Sequence, residues 1–251
     1  MTRLEAVAGK VLVAGSHGGI IAAYLGARAG AHALVLNDAG VGKERAGIGG
    51  LAYLEAIGMA AAAVDCMSAR IGDGADMLAR GIVSHANIFA ALCGVAAGRS
   101  CREAAEHMRA AAPPRSAPPP YAEGRWRVAG RPPEIWALDS VGKLIPEDAG
   151  RILVIGSHGA LQGGRPETAL GADAAAAVFN DAGLGADRIG ITRLPVLSAR
   201  GIPAAAVDCM SARIGDGRSM WETGVLSHVN ATAAQRGARP GMTVKEFAAL
   251  I

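Results

Sequence analysis

Val64–Gly74 reads VDCMSARIGDG, and Val207–Gly217 reads the same eleven letters again. A run of Asp, Cys, Ser, Arg and Asp kept unchanged in two places marks a duplicated unit. The match extends outward. Val11–Gly18 (VLVAGSHG) answers to Ile152–Gly159 (ILVIGSHG) at a separation of 141. Asn37–Gly40 (NDAG) answers to Asn180–Gly183 at 143, and Ser84-His85-x-Asn87 to Ser227-His228-x-Asn230, also at 143. The copies run from about Leu4 to Met108 and from about Ile145 to Ile251. That period is too long for a solenoid. It suits two α/β units, each near the lower size limit for a lobe with its own core.

Each motif follows a short apolar run. Lys10–Ala14, Ala33–Leu36 and Ala60–Val64 are predicted strands, as are Arg151–Ile155, Ala175–Phe179 and Ala204–Val207 in the second copy. Apolar runs bounded by turn residues suit buried parallel strands. Helices are predicted over Ile20–Ala29, over Leu51–Ile57 with Gly58 as its stop, and from Ser84 to about Leu92. Ser100-x-x-Glu103 and Thr243-x-x-Glu246 are capping boxes that open a last helix in each copy. Strands alternating with helices imply mostly parallel sheets built from right-handed βαβ units. The expected fold class is α/β, with two pseudo-symmetric Rossmann-like lobes from an internal duplication. The expected division is residues 1–111, a connector over 112–150 and residues 151–251. Pro113–Pro120 (PPRSAPPP) is stiff and extended. Arg125–Val128 and Glu134–Leu138, around a Gly-Arg-Pro-Pro turn, read as a hairpin that bridges the lobes or covers a sheet edge.

Composition narrows the function class. The chain of 251 residues is 51% apolar with 4% aromatics, and its net charge is only +3. Scattered arginines and few stacking aromatics give nucleic-acid binding little basis. No run of 18 apolar residues and no leader pattern occur, so neither a membrane span nor export is expected. Cys66, Cys93, Cys101 and Cys209 form no disulfide framework, which favours a reduced, cytoplasmic setting. Homo-oligomerisation is left open.

The polar motifs all follow strands, and open parallel sheets bind ligands beyond the carboxyl ends of their strands. The reading therefore places one site at that edge, in a cleft between the lobes. In the GSHG turns, Ser16, His17, Gly18, Ser157, His158 and Gly159 offer backbone amides for an anion and a histidine base. Asn37, Asp38, Asn180 and Asp181 can orient a substrate or cap their own turns. In the longest motif, Asp65, Cys66, Asp208 and Cys209 are candidate base and nucleophile. Adjacent strand residues point to opposite faces, so one of each pair is expected to face away. A small buried hydrophobe is the commonest fate of a free Cys. Ser68, Arg70, Ser211 and Arg213 would bind substrate, with Arg as a carboxylate or phosphate clamp. Asp73, which with Asp216 fills the loop, could instead pair with Arg70 as a structural salt bridge. His85, Asn87, His228 and Asn230 complete the set, with Ser84 and Ser227 as helix caps. No organic cofactor is expected. A divalent metal on His17, Asp38, Asp65 and His85 is the one cofactor these residues leave open.

With those motifs in hand, the chain resembles a set of bacterial α/β proteins carrying GSHGG, NDAG and SARIGDG in a duplicated chain. The resemblance covers nearly the whole sequence and implies the fold, with no activity attached. Three-repeat cyclic-amide hydrolases differ, since the third unit and the Ser-Lys pairs are missing here. Aspartate/glutamate racemases share two lobes with one Cys each, but in an Asn-Thr setting unlike Asp-Cys-Met-Ser. The expected function is a small-molecule enzyme, a hydrolase of a small anionic amide, imide or lactone. The alternatives are a two-thiol racemase or epimerase, a non-catalytic anion binder, and a metal-dependent hydrolase.

Overall fold

The computed structural model describes residues 7–130 and 132–251. The start of the first copy near Leu4, and Arg131 of the expected hairpin turn, lie outside them. The chain forms two units. The first comprises residues 1–41, 45–122 and 185–187, and the second residues 42–44, 123–184 and 188–251. Each unit thus takes in one tripeptide from the other copy of the repeat.

The first unit runs β1 (Val11–His17), α1 (Ile20–Arg28), β2 (Ala33–Asn37), α2 (Gly49–Ala56), β3 (Ala61–Val64), α3 (Gly74–Arg80), β4 (Val83–Ala86), α4 (Ile88–Leu92) and α5 (Cys101–His107). Its sheet has the order β1-β2-β3-β4. The first three strands are parallel and β4 is antiparallel. Both faces are covered, so β2 is apolar at every position but its last. Leu34 and Leu36 pack with Ala23, Leu51 and Leu54 from α1 and α2. Ala33 and Val35 pack on the other face with Met77, Ala90, Cys101 and Ala104. The alanines of β3 are poor strand formers in isolation. Complete burial decides the matter, and their small size lets helices approach the sheet from both sides.

The second unit adds β5 (Arg125–Ala129) and β6 (Ile135–Leu138), then runs β7 (Ile152–His158), β8 (Ala176–Asn180), α6 (Arg193–Ala199), β9 (Ala204–Val207), α7 (Gly217–Thr223), β10 (Leu226–Val229), α8 (Ala231–Ala234) and α9 (Val244–Ala248). Its sheet order is β10-β9-β8-β7-β6-β5. The expected hairpin forms, and β6 pairs in parallel with β7, so it does cover an edge.

Three expectations need correction. First, the second unit has no counterpart of α1. Gly163, Gly164 and Pro166 follow its GSHG motif, and only short 3-10 turns form there. Gly and Pro each penalise an α-helix. Arg193 compensates. It stands where the first copy has Gly50, and its guanidinium donates to the carbonyls of Ala160, Thr168 and Ala169. Those carbonyls thereby gain partners that a helix would otherwise supply. Second, Ser84 does not start a helix: Val83–Ala86 is a strand and Asn87 caps α4. Third, β1 and β7 continue through Gly-Ser-His instead of turning at the glycine, with an irregular register between Val13 and His17 and its equivalent.

Asn87 is a structural keystone. Its Oδ1 accepts from the amides of Ala61 and Ala90, and its Nδ2 donates to the carbonyls of Met59 and Leu51. Asn230 repeats the arrangement on Ala204, Ala233, Ile202 and Leu194. Asn87→Ala should therefore cost about 2–3 kcal/mol, the range for a lost cap plus orphaned buried groups. Urea unfolding checks this, with a lower midpoint at unchanged slope expected.

Candidate functional site

The motif residues gather at the carboxyl ends of the parallel strands. Asp38 follows β2, and Asp65 and Cys66 follow β3. Ligand atoms of Asp38, Asp65 and Cys66 all lie within 4.8 Å of one another, as do those of Asp181, Asp208 and Cys209. Each group lies inside one unit. The expectation that Asp65 and Cys66 point apart fails because β3 ends at Val64, and strand alternation does not govern the turn beyond it.

Local bonds fix the cluster. Asp38 Oδ1 accepts from the amides of Gly40 and Cys66, at 3.0 and 2.9 Å. Asp181 does the same for Gly183 and Cys209, at 3.0 Å each. Asp65 Oδ1 accepts from the Met67 amide and Asp208 Oδ1 from the Met210 amide. Ser68 Oγ donates to the Asp65 carbonyl and accepts from the Ile82 amide, and Ser211 repeats this with Asp208 and Val225. Asn37 and Asn180 bind the amides of Ala39 and Ala182 and the carbonyls of Ala69 and Ala212. Ser68, Asn37, Asn87 and their equivalents thus hold the fold with the very groups that would otherwise meet a substrate.

Electrostatics follow from crowding. Burial, then the neighbouring Asp38 and Asp65 carboxylates, push the Cys66 thiol up to about 12. Burial, Asp181 and Asp208 do the same to Cys209. Both are thiols near neutral pH, and the side chains hydrogen-bond Asp38 and Asp181, respectively. Burial raises the Asp181 carboxyl above the usual aspartate range, while the Ser227 hydroxyl pulls against it.

The backbone beside each cluster is strained. Ala39, Val41, Glu44 and Arg45 have positive φ, and so do Ala182, Leu184, Asp187 and Arg188 at matching positions. Left-handed backbone costs an L-residue roughly 1–2 kcal/mol, and such strain concentrates at functional sites. Gly190 makes the segment possible: a Cβ there would sit 1.9 Å from the Asp181 carbonyl oxygen. Gly190→Ala should push that carbonyl away and cost about 3 kcal/mol, the upper range for overpacking. The change is measurable as a drop in unfolding midpoint.

The remaining candidates are already engaged. The GSHG turns do not present free amides, because Gly18 and Gly159 donate to the carbonyls of Asn37 and Asn180. The next amides, of Gly19 and Ala160, donate to Nδ1 of His17 and His158. Ser16 is half-buried, and Ser157 accepts from the Val141 amide. Arg70 pairs with Asp187 at 2.8 Å and reaches Asp76 at 3.9 Å. Asp73 caps α3 instead of pairing with Arg70. Arg213 pairs with Asp216 and with Glu44 at 2.7 Å. Neither histidine expected in the metal group belongs to the Asp–Asp–Cys set. His17 turns its Nδ1 to the Gly19 amide, and His85 lies in β4 with its Nδ1 3.1 Å from Ser84 Oγ.

Ser84 and Ser227 cap no helix: they lie in β4 and β10, each with its hydroxyl beside the Nδ1 of the next histidine. Ser227 lies 3.2 Å from His228 Nδ1 and bonds the Asp181 carboxyl. Arg188 Nη2 is 3.0 Å from His228 Nε2. A guanidinium only donates, so Nε2 is the acceptor and Nδ1 carries the proton toward serine. The duplicated Ser-His pair was the available signal. Comparison with protein-family models, curated proteins and solved structures finds no match to this chain.

Proposed function

We propose that the protein is a small-molecule hydrolase acting on an amide, imide or lactone, with a centre in each unit: Asp38, Asp65 and Cys66, and Asp181, Asp208 and Cys209. The observation that carries this reading is the convergence of two carboxylates and a protonated thiol to within 4.8 Å in both units. Asp65 and Asp208 are the half-buried members, and their second carboxylate oxygens take a proton from an attacking water. Water adds to the carbonyl carbon, the carbon–nitrogen or carbon–oxygen bond breaks, and the same proton passes to the leaving atom. The thiol supplies a hydrogen bond, since at a pKa of about 12 it is a poor nucleophile. That same protonation weakens the two-thiol racemase alternative. Both motif arginines are paired with carboxylates, Arg70 with Asp187 and Arg213 with Glu44, so an anionic substrate would have to displace those partners.

A panel of small amides, imides and lactones in H2(18)O is the test. The reading expects product carboxylate carrying one solvent oxygen. Solvent deuterium at a substrate α-carbon without cleavage would favour racemisation. A ligand recovered bound and unchanged would favour the non-catalytic reading.

A second reading rests on the same grouping. Two carboxylates and a thiol so close suit a divalent cation, which would lower the thiol pKa by its own charge. Bound metal near one equivalent per unit, with loss of turnover in chelator, would select it.

A further inference from the structure

The two units differ at one sheet edge. In the second, β7 is flanked by β6: Ile135 lies opposite Ile152 and Leu138 opposite Ile155, and the Ile152 amide donates to the Glu134 carbonyl. The equivalent strand of the first unit is β1, and it ends its sheet. Among the described residues no strand pairs with its outer side. All seven residues of β7 are buried, whereas Val11, Leu12 and Val13 of β1 are only half-buried. The inward ladder is fixed by the Lys10 carbonyl, which accepts from the His32 amide, so Val11 and Val13 direct their backbone groups outward. Farther along, the Gly15 carbonyl accepts from Gly72, and Gly74 lies against the Val13 carbonyl oxygen, which closes that end.

A groove of about 600 Å³ opens along the remaining stretch, lined by Gly9, Val11, Val13, Leu78 and Ala105. Its rim carries Lys10, Arg102 and Arg109 against a single carboxylate, Glu106. None of the three cations makes an ion pair with a described residue. His32, also in the lining, has a buried Nε2 without a hydrogen-bond partner.

We propose that the outer edge of β1 accepts an extended acidic peptide segment of a partner protein as an added parallel strand. Backbone pairing to Val11 and the Val13 amide would supply affinity, and the cationic rim would select carboxylates. The second unit shows the required chemistry on its own equivalent strand, because β6 is a short apolar strand between Glu134 and Asp139. This inference is independent of the hydrolytic reading.

The test uses the full chain and a fluorescein-labelled peptide copying Pro133–Ser140 (PEIWALDS), read by anisotropy and by amide hydrogen exchange. Expected are one peptide per chain at micromolar affinity and slowed exchange at Val11 and Val13. Raising salt from 50 to 300 mM should weaken binding. Arg102→Glu with Arg109→Glu should weaken it at least tenfold, and these exposed substitutions leave the fold intact. Val11→Pro, which deletes one outward amide at an edge position that tolerates proline, should do likewise. Four results would overturn the proposal: no binding at millimolar peptide, equal binding of a Lys-flanked version, protection confined to other segments, or self-association of the free chain that Val11→Pro abolishes. The last would assign the edge to a second copy.

Discussion

Arg193→Ala should lower stability by about 4 kcal/mol, the largest single effect we expect outside the catalytic groups. The side chain is 1% exposed and lies 5.0 Å from the Phe179 ring. It serves three carbonyls of the irregular segment that replaces a helix. Orphaning each costs roughly 1–3 kcal/mol, and the vacated volume adds roughly 2. Against that stands relief of a buried cation, whose pKa burial has driven down to about 10. That relief is worth about 3 kcal/mol. Lysine does not rescue, because one ammonium cannot reproduce the guanidinium fork. Urea unfolding followed by circular dichroism reads the outcome, and a midpoint within error of wild type would refute this account of the second unit.

Acidification should cost about 3 kcal/mol through His17 alone. Burial lowers its pKa from 6.5 to about 4. Between those values the unfolded chain binds a proton that the folded chain refuses. The contribution is therefore complete above pH 6.5 and falls away, by about 1.4 kcal/mol per pH unit, as pH drops toward 4. The geometry explains the resistance, since Nδ1 must stay unprotonated to accept the Gly19 amide at 3.1 Å. In His17→Asn the amide oxygen can take over that bond without titrating. The difference in unfolding free energy between wild type and variant should slope across pH 4–6.5. Parallel curves would show that His17 does not titrate as described.

These cases show what was legible in the sequence. The parallel strands, the hairpin and both capping boxes follow from apolar runs and local turn chemistry. The loss of α1 from the second unit was written in Gly163, Gly164 and Pro166, but the strength of the repeat hid it. Arg193 could not be read at all, because only the folded chain shows which carbonyls it must satisfy. In the Ser84–Asn87 stretch both ends carry cap-forming residues, and tertiary bonds to Met59 and Ala61 chose Asn87. The site was visible as a set of residue types and misread in its roles. Duplicated Asn and Ser hold backbone, and duplicated Arg holds carboxylates. Asp65 and Cys66, assigned by strand alternation to opposite faces, meet just beyond a strand that ends one residue earlier.

The central claim is that each unit carries its own centre, with Asp65 and Asp208 as bases. Hydrolysis by Asp65→Asn, Asp208→Asn and the double variant tests it most directly, using a substrate found with the panel. Asparagine keeps the Oδ1 that holds the turn and removes only the basic charge. The account predicts that each single variant retains a substantial share of turnover and that the double variant loses roughly 10²–10⁴-fold. A double variant as active as the wild type would contradict it. So would a single substitution that abolishes turnover alone.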